Sequence, residues 1–430
     1  MEEMHIGVIF LWIAIILLTG RLALLIERFG QPPVLGELVV GVVLGNLSLL
    51  GIHLFQPILE SEIIGFLAEL GVVVLLFQVG LQSNMREMAQ VGGRAFLVAC
   101  VGVAVPFVLG TYLIGPLVMP GLPFNAYLFL GATLTATSVG ITARVFQDLG
   151  ILGSPEAKIV LGAAVIDDVL GLIILAIVSA IVTAGSFSLW DMAWVTLKAF
   201  GFLAGAILLG QAIAPLLGRA LSAIHTGRGM KFTLAIGFCL VAAYLAEQIG
   251  LAPIIGAFAA GLVLDPVHFR HFKDPEIVED LRQHLEPVPE STRQTLLGVI
   301  DHHADRHIEE LVNPLAWFLV PIFFVLTGMN VRLEPLFDPA VLAIALAVTL
   351  VAFLGKAASG LVAGKVNKSI VGWGMVPRGE VGLIFAATGQ RLGIVSSELF
   401  SVIVVVVILS TLLTPPILTF ISRRQFAPAT

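Results

Sequence analysis

Two carboxylates stand side by side, Asp167 and Asp168, in the apolar run Leu161-Gly-Ala-Ala-Val-Ile-Asp-Asp-Val-Leu-Gly-Leu-Ile-Ile-Leu-Ala-Ile-Val178. A carboxylate at the centre of a bilayer costs about 2.5 to 3.5 kcal/mol on insertion scales. Two in succession are more than one structural salt bridge needs, and the usual compensation is a transported cation or proton. Neighbours on a helix point about 100° apart, so both can border one site without facing each other. At about 6 Å and an effective dielectric near 20 they repel by about 2.8 kcal/mol, so they do not titrate alike. One acid held ionised by a fixed cation, with the other exchanging a proton for a metal ion, makes two ions compete for a single site. That is antiport without ATP.

The fixed cation is supplied by Lys356, mid-run in Val351-Ala-Phe-Leu-Gly-Lys-Ala-Ala-Ser-Gly360 and too far from either end to snorkel. Two other runs look broken. Gly131-Ala-Thr-Leu-Thr-Ala-Thr-Ser-Val-Gly-Ile-Thr142 is a mid-span series of small and hydroxyl residues. Gly372-Trp-Gly-Met-Val-Pro-Arg-Gly-Glu-Val-Gly382 places Pro377 among glycines, with Arg378 and Glu380 as fixed charges beside the break. Irregular backbone at membrane depth is tolerated only where it is buried in protein or lines a cavity. Arg21 and Lys198 lie near helix ends, where snorkelling accounts for them, and Glu37, Glu69 and Glu247 are embedded without an obvious partner.

The elements that must position these groups are membrane spans. The 430 residues are 58% hydrophobic and 12% charged, and the mean hydropathy is +1.02, which excludes a soluble enzyme. Cys100 and Cys239 both lie in apolar runs, and the N-terminus lacks the basic region and cleavage site of a secretory signal. Apolar stretches of span length fall at 5–27, 33–51, 63–82, 93–116, 125–147, 157–184, 191–218, 230–249, 251–265, 311–329, 338–364, 369–391 and 396–420, thirteen in all. The odd connections hold Arg28; Arg86 and Arg94; Lys158; Arg219, Arg228 and Lys231; five basic residues from Arg270 to Arg306; and Lys365 and Lys368. The even ones hold only Arg332 and Arg391, and the tail adds Arg423 and Arg424. An excess of basic residues marks cytoplasmic loops, so the N-terminus is expected outside and the C-terminus in the cytoplasm.

The broken fifth and twelfth segments differ by seven, so they cross the membrane in opposite directions, as in an inverted-topology repeat. The expected fold is therefore all-α and polytopic, with two discontinuous helices crossing at the midplane. Residues 266–310 form one long polar connection that holds six of the nine histidines, among them His303 and His307 at helical spacing. Near-helical apolar spacing within it predicts two amphipathic helices on the cytoplasmic face. Without Cys or a His-Glu-x-x-His pattern it reads as a connector or a pH-responsive surface, not a metal site.

Several stretches of the chain resemble the monovalent cation:proton antiporter-2 family, and within it the NapA-type sodium/proton antiporters. They are Gln31-Pro-Pro-Val-Leu-Gly-Glu37, Leu75-Leu-Phe-Gln-Val-Gly-Leu81, Ala136-Thr-Ser-Val-Gly-Ile-Thr-Ala-Arg144, Val165-Ile-Asp-Asp168, Leu354-Gly-Lys356 and Pro377-Arg-Gly-Glu-Val-Gly382. The resemblance implies a homodimer in which a core part, about 61–190 and 311–430, moves against a dimerisation part, about 1–60 and 191–265. It implies that Asp168 binds ion and proton, that Asp167 partners Lys356, and that Thr137 and Ser138 are polar groups at the first helix break. The paired acid resembles the electrogenic subgroup, and the connection 266–310 is longer than in the relatives most like this chain.

The function so implied is exchange of cytoplasmic Na⁺ or Li⁺ for external H⁺ across the plasma membrane by alternating access. No cofactor, no nucleic acid and no metal beyond the transported cation is expected. A potassium/proton antiporter or potassium-efflux protein of the same family is the alternative. An intramembrane aspartyl protease, from a different class, needs its two aspartates on separate facing helices, whereas these adjoin on one.

Overall fold

Long apolar runs leave the backbone no water to bond, so each must satisfy its own polar groups as helix. The computed structural model describes residues 6–29, 31–82, 85–184, 189–249, 251–264, 272 and 307–426, and among them there is no strand. Helix α1 (Ile6–Leu22) runs on through a 3-10 stretch, Ala23–Phe29, and α2 (Pro33–Gly45) follows behind a proline start that pre-sets its first turn. Next come α3 (Glu62–Leu81), α4 (Met85–Val108), α5 (Phe124–Thr133), α6 (Val139–Asp148) and α7 (Pro155–Ala184). They are followed by α8 (Leu189–Ile224), α9 (Arg228–Gln248), α10 (Pro253–Val263) and α11 (His307–Met329). The chain closes with α12 (Pro339–Ala357), α13 (Lys368–Gly374), α14 (Glu380–Arg391) and α15 (Ser397–Phe426).

All thirteen expected segments are helical, and the fifth and twelfth are each split into two half-helices, α5 with α6 and α13 with α14. Nine helices among the described residues are long and apolar enough to cross a membrane, and α10 is a shorter apolar helix. Of the long polar connection, only Phe272 and residues 307–310, which open α11, are described. Of the two amphipathic helices expected there, the first and most of the second, with His302 and His303, lie outside the described residues, and the end of the second, from His307, opens α11.

Hydrogen bonds sort the connections into two sides. Asp148 Oδ2 accepts from Val34 N at 3.3 Å, and Glu156 Oε1 accepts from Asn367 N at 2.9 Å, so the first, fifth and eleventh connections meet. Asn46 donates to Val331 O at 2.7 Å and accepts from Leu333 N at 2.9 Å, which joins the second connection to the tenth. Odd meets odd and even meets even, as thirteen crossings require.

Packing divides the chain into two units. The first comprises Met1–Val72, Arg86–Ala199 and Leu319–Thr430 and holds both pairs of half-helices. Its core includes Phe129 and Leu130 of α5, Val348 of α12, Phe385 of α14 and Val402 of α15. Within it α2 and α11 touch backbone to backbone, since a Cβ on Gly41 would sit 2.8 Å from Gly328 Cα. Small residues permit that approach where apolar solvent gives helices little drive to associate. Pro106 cannot donate inside α4, and the chain relaxes into a π-helical turn, Leu109–Ile114, that lies against α5.

The second unit comprises Val73–Met85 and Phe200–Phe318. Here α9 packs on α10, and the buried Gln78 donates to Asn313 Oδ1 at 2.7 Å.

Candidate functional site

The two breaks fall where the residue types put them. In α5 the hydroxyls of Thr133 and Thr135 turn back on Phe129 O and Ala132 O, at 2.8 and 2.7 Å, and so compete with the next helical turn. The chain then runs extended to Ser138, the N-cap of α6, whose φ is −85° and ψ 103°. In the other pair, Pro377 disfavours helical backbone at Val376, and the chain leaves α13 after Met375. The two extended stretches cross and bond directly, with Ser138 N donating to Pro377 O at 2.7 Å.

A buried helix end leaves carbonyls without partners, and at the end of α13 three successive ones find side-chain donors. Gly374 O accepts from Thr142 Oγ1 at 2.7 Å, Met375 O from Thr137 Oγ1 at 3.1 Å, and Val376 O from Arg378 Nη1 at 3.1 Å. The other face of the Arg378 guanidinium donates to Leu134 O at 2.9 Å, at the end of α5. One fully buried cation thus sits at the partly negative C-terminal ends of both half-helices. Thr411 of α15 fixes it further by donating to Arg378 O. Glu380 is the first residue of α14, the position where an acid complements the positive N-terminal end of a helix.

Beside this crossing, α7 carries the acid pair near its middle. Lys356 Nζ lies 3.0 Å from Asp167 Oδ1 and 3.1 Å from Oδ2, and both side chains are fully buried. Thr137 is also within hydrogen-bonding reach of Asp167, and Arg378 and Asp168 lie in the same electrostatic neighbourhood. Thr137 has one proton for two acceptors, the Asp167 carboxylate and Met375 O. Asp167 is 1% exposed and Asp168 9%, so of the two acids Asp168 keeps more access to the space beside the helix.

Asp167, Asp168, Lys356 and Arg378, singled out by residue type, and Thr137 and Ser138, named from the family resemblance, therefore gather around the crossing. Sequence reasoning gave Thr142 no role beyond its place in the hydroxyl run, and it missed Thr411, a hydroxyl that reads as an ordinary span residue, and Gly102. A Cβ on Gly102 would stand 3.7 Å from Lys356 Nζ, an ordinary contact, so a side chain longer than that of alanine would take space the lysine uses. A glycine among valines carries no sign of that.

A polytopic helical membrane protein with two crossed half-helices beside a buried acid pair is a secondary transporter by architecture. The transmembrane sodium/hydrogen exchanger family matches residues 13–424, and the chain belongs to that family. It is 36% identical to the high-affinity Na⁺/H⁺ antiporter NhaS3 of Synechocystis, over 93% of this chain and 87% of that one. It is 35% identical to the Na⁺/H⁺-K⁺ antiporter GerN of Bacillus cereus, over 96% of this chain and 95% of that one. Among solved structures, the sodium proton antiporter MjNhaP1 of Methanocaldococcus jannaschii superposes with a TM-score of 0.63 over 97% of this chain and 100% of its own, at 14% identity. That likeness is one of fold.

Proposed function

We propose that the chain exchanges cytoplasmic Na⁺ or Li⁺ for external H⁺ across the plasma membrane by alternating access, with Asp168 as the group for which cation and proton compete. The observation that carries this reading is the division of labour in the acid pair. Lys356 bonds both oxygens of Asp167, which supports reading that acid as the structural partner, while Asp168 on the next helical position keeps the greater exposure. Thr137 and Ser138 border the first break and supply hydroxyl and carbonyl oxygens of the kind a hard monovalent cation prefers. Bound cation and bound proton each neutralise Asp168, and neither can bind until the other leaves. Arg378 and Glu380 hold the charges of the crossed helix ends and do not exchange ions.

The rest of the reading follows from topology and the family. The N-terminus lies outside and the C-terminus in the cytoplasm, in line with the excess of basic residues in the odd connections. The protein works as a homodimer, with a dimerisation part of about 1–60 and 191–265 and a moving core of about 61–190 and 311–430. A second reading, exchange of K⁺ for H⁺, is favoured by the similarity to a relative named as a Na⁺/H⁺-K⁺ antiporter.

The test is purified protein in acid-interior liposomes with a pH dye, challenged in turn with Na⁺, Li⁺ and K⁺. The parent should dequench with Na⁺ and Li⁺, and Asp168→Asn should abolish the response while remaining folded and dimeric. Na⁺-driven dequenching by that variant would move the ion site elsewhere. A response to K⁺ alone would establish the second reading.

A further inference from the structure

A second group of charges lies away from the crossing, where the start of α2 meets the end of α6. Asp148, the last residue of α6, accepts from Val34 N and so caps the first turn of α2. One turn earlier on α6, Arg144 Nε stands 2.9 Å from Asp148 Oδ1 and forms an ion pair with it. Glu37, one turn into α2 from Val34, is 2% exposed and lies in the field of Arg144, Asp148 and Arg21. Its Oε2 has no donor among the described residues, and neither has the buried Oε1 of Gln31 just before α2.

The part of α11 in this unit, residues 319–329, packs on α2 but carries no charged residue, so the groups facing this cluster come from the other elements packed on α2. Helix α1 brings Arg21, the 3-10 stretch brings Glu27, which lies in the field of Asp148, and α6 brings Arg144 and Asp148. The charged residues of α15, Glu398, Arg423 and Arg424, are exposed, as are Arg28 and, at the edge of the cluster, Arg21 and Glu27. Carboxylates therefore outnumber guanidinium groups in this cluster, three to two, and a buried ionised oxygen that has no donor carries its desolvation penalty. A proton removes the charge and turns one of the two orphaned acceptors into a donor.

We propose that Glu37 is a second proton-binding carboxylate, whose proton clamps the junction of α2 with α6 and whose loss loosens it. Neutral Glu37 leaves Arg144 to Asp148 and the cap on α2 intact. Ionised Glu37 draws Arg144 away and repels Asp148, the residue that holds Val34. Helix α6 is only 10 residues long, and its other end is the crossing, so the junction reaches the ion site through a rigid rod.

Infrared spectra of the purified full chain, titrated with pH, test the proton, and hydrogen exchange at the start of α2, corrected for intrinsic pH dependence, tests the clamp. Neither readout needs antiport, so their failure is distinct from failure of the proposed function. The parent should show a protonated-carboxyl band that Glu37→Gln lacks. Asp148→Asn removes a like charge and releases Arg144, so the midpoint of that band should fall by about one pH unit. Exchange at the α2 start should quicken at alkaline pH in the parent and stay slow in Glu37→Gln. A band unchanged by Glu37→Gln, or a midpoint unmoved by Asp148→Asn, would overturn the proton site. Equal exchange profiles in parent and Glu37→Gln would overturn the clamp.

Discussion

The two adjacent acids differ because of what each touches. Asp167 is bound by both oxygens to Lys356, and a buried pair broken on one side leaves an uncompensated charge that costs about 3 to 5 kcal/mol. Lys356→Ala should therefore lower thermal stability in detergent, and adding Asp167→Asn should recover much of the loss. If the double variant melts no higher than Lys356→Ala, the bond contributes nothing to stability. That Lys356 would pair with one of the two acids was legible in the residue types, because an embedded cation must find a carboxylate, while its pairing with Asp167 came from the family resemblance. The room for Lys356 was not legible, since Gly102 is informative only through what its missing Cβ would meet. Gly102→Leu should accordingly damage the pair from a different helix, with a loss of stability similar to that of Lys356→Ala.

At the scale of elements, the half-helices persist because their buried ends are satisfied by each other. The positions of both breaks were readable from hydroxyl clusters and from Pro377 with its glycines, since such residues weaken a helix wherever they fall. The partners were not readable, because the donors to the α13 carbonyls come from Thr137, Thr142 and Arg378, two of them more than two hundred residues away in sequence. Thr142→Val keeps the shape and removes the donor to Gly374 O, leaving a buried carbonyl unpaired at a cost of about 1 to 3 kcal/mol. Its melting temperature should drop while Thr142→Ser stays near the parent, and equal losses in the two would point to packing of the methyl group instead. Gly379 is the tighter constraint, because a Cβ there would lie 2.9 Å from Ser138 Oγ in the crossing itself. Gly379→Ala should thus impair Na⁺-driven proton release more than it lowers stability, and the ratio of the two effects separates a distorted site from a weakened fold.

For the whole molecule, the direction of exchange depends on which way the chain is threaded. The count of crossings and the bias of basic residues both came from composition, and the meeting of odd with odd connections through Asp148 and Glu156 agrees with them. Those bonds lie in one packing unit, however, and α8 (Leu189–Ile224) leads from it into the other. A missed or added crossing there, compensated by a second before the tenth connection, would invert α9 and α10 without disturbing the ion site. Cysteines placed singly at exposed positions, in a background with Cys100 and Cys239 replaced by Ser, read the threading directly. Gly153→Cys in the fifth connection and Gly229→Cys in the seventh should react with a membrane-impermeant maleimide only in inside-out vesicles. Asn330→Cys in the tenth should react only in right-side-out ones. If Gly229→Cys labels together with Asn330→Cys, the parity fails within residues 149–229, and the excess of basic residues at Arg219, Arg228 and Lys231 would lie on the outer face, against the charge rule that orients every other connection.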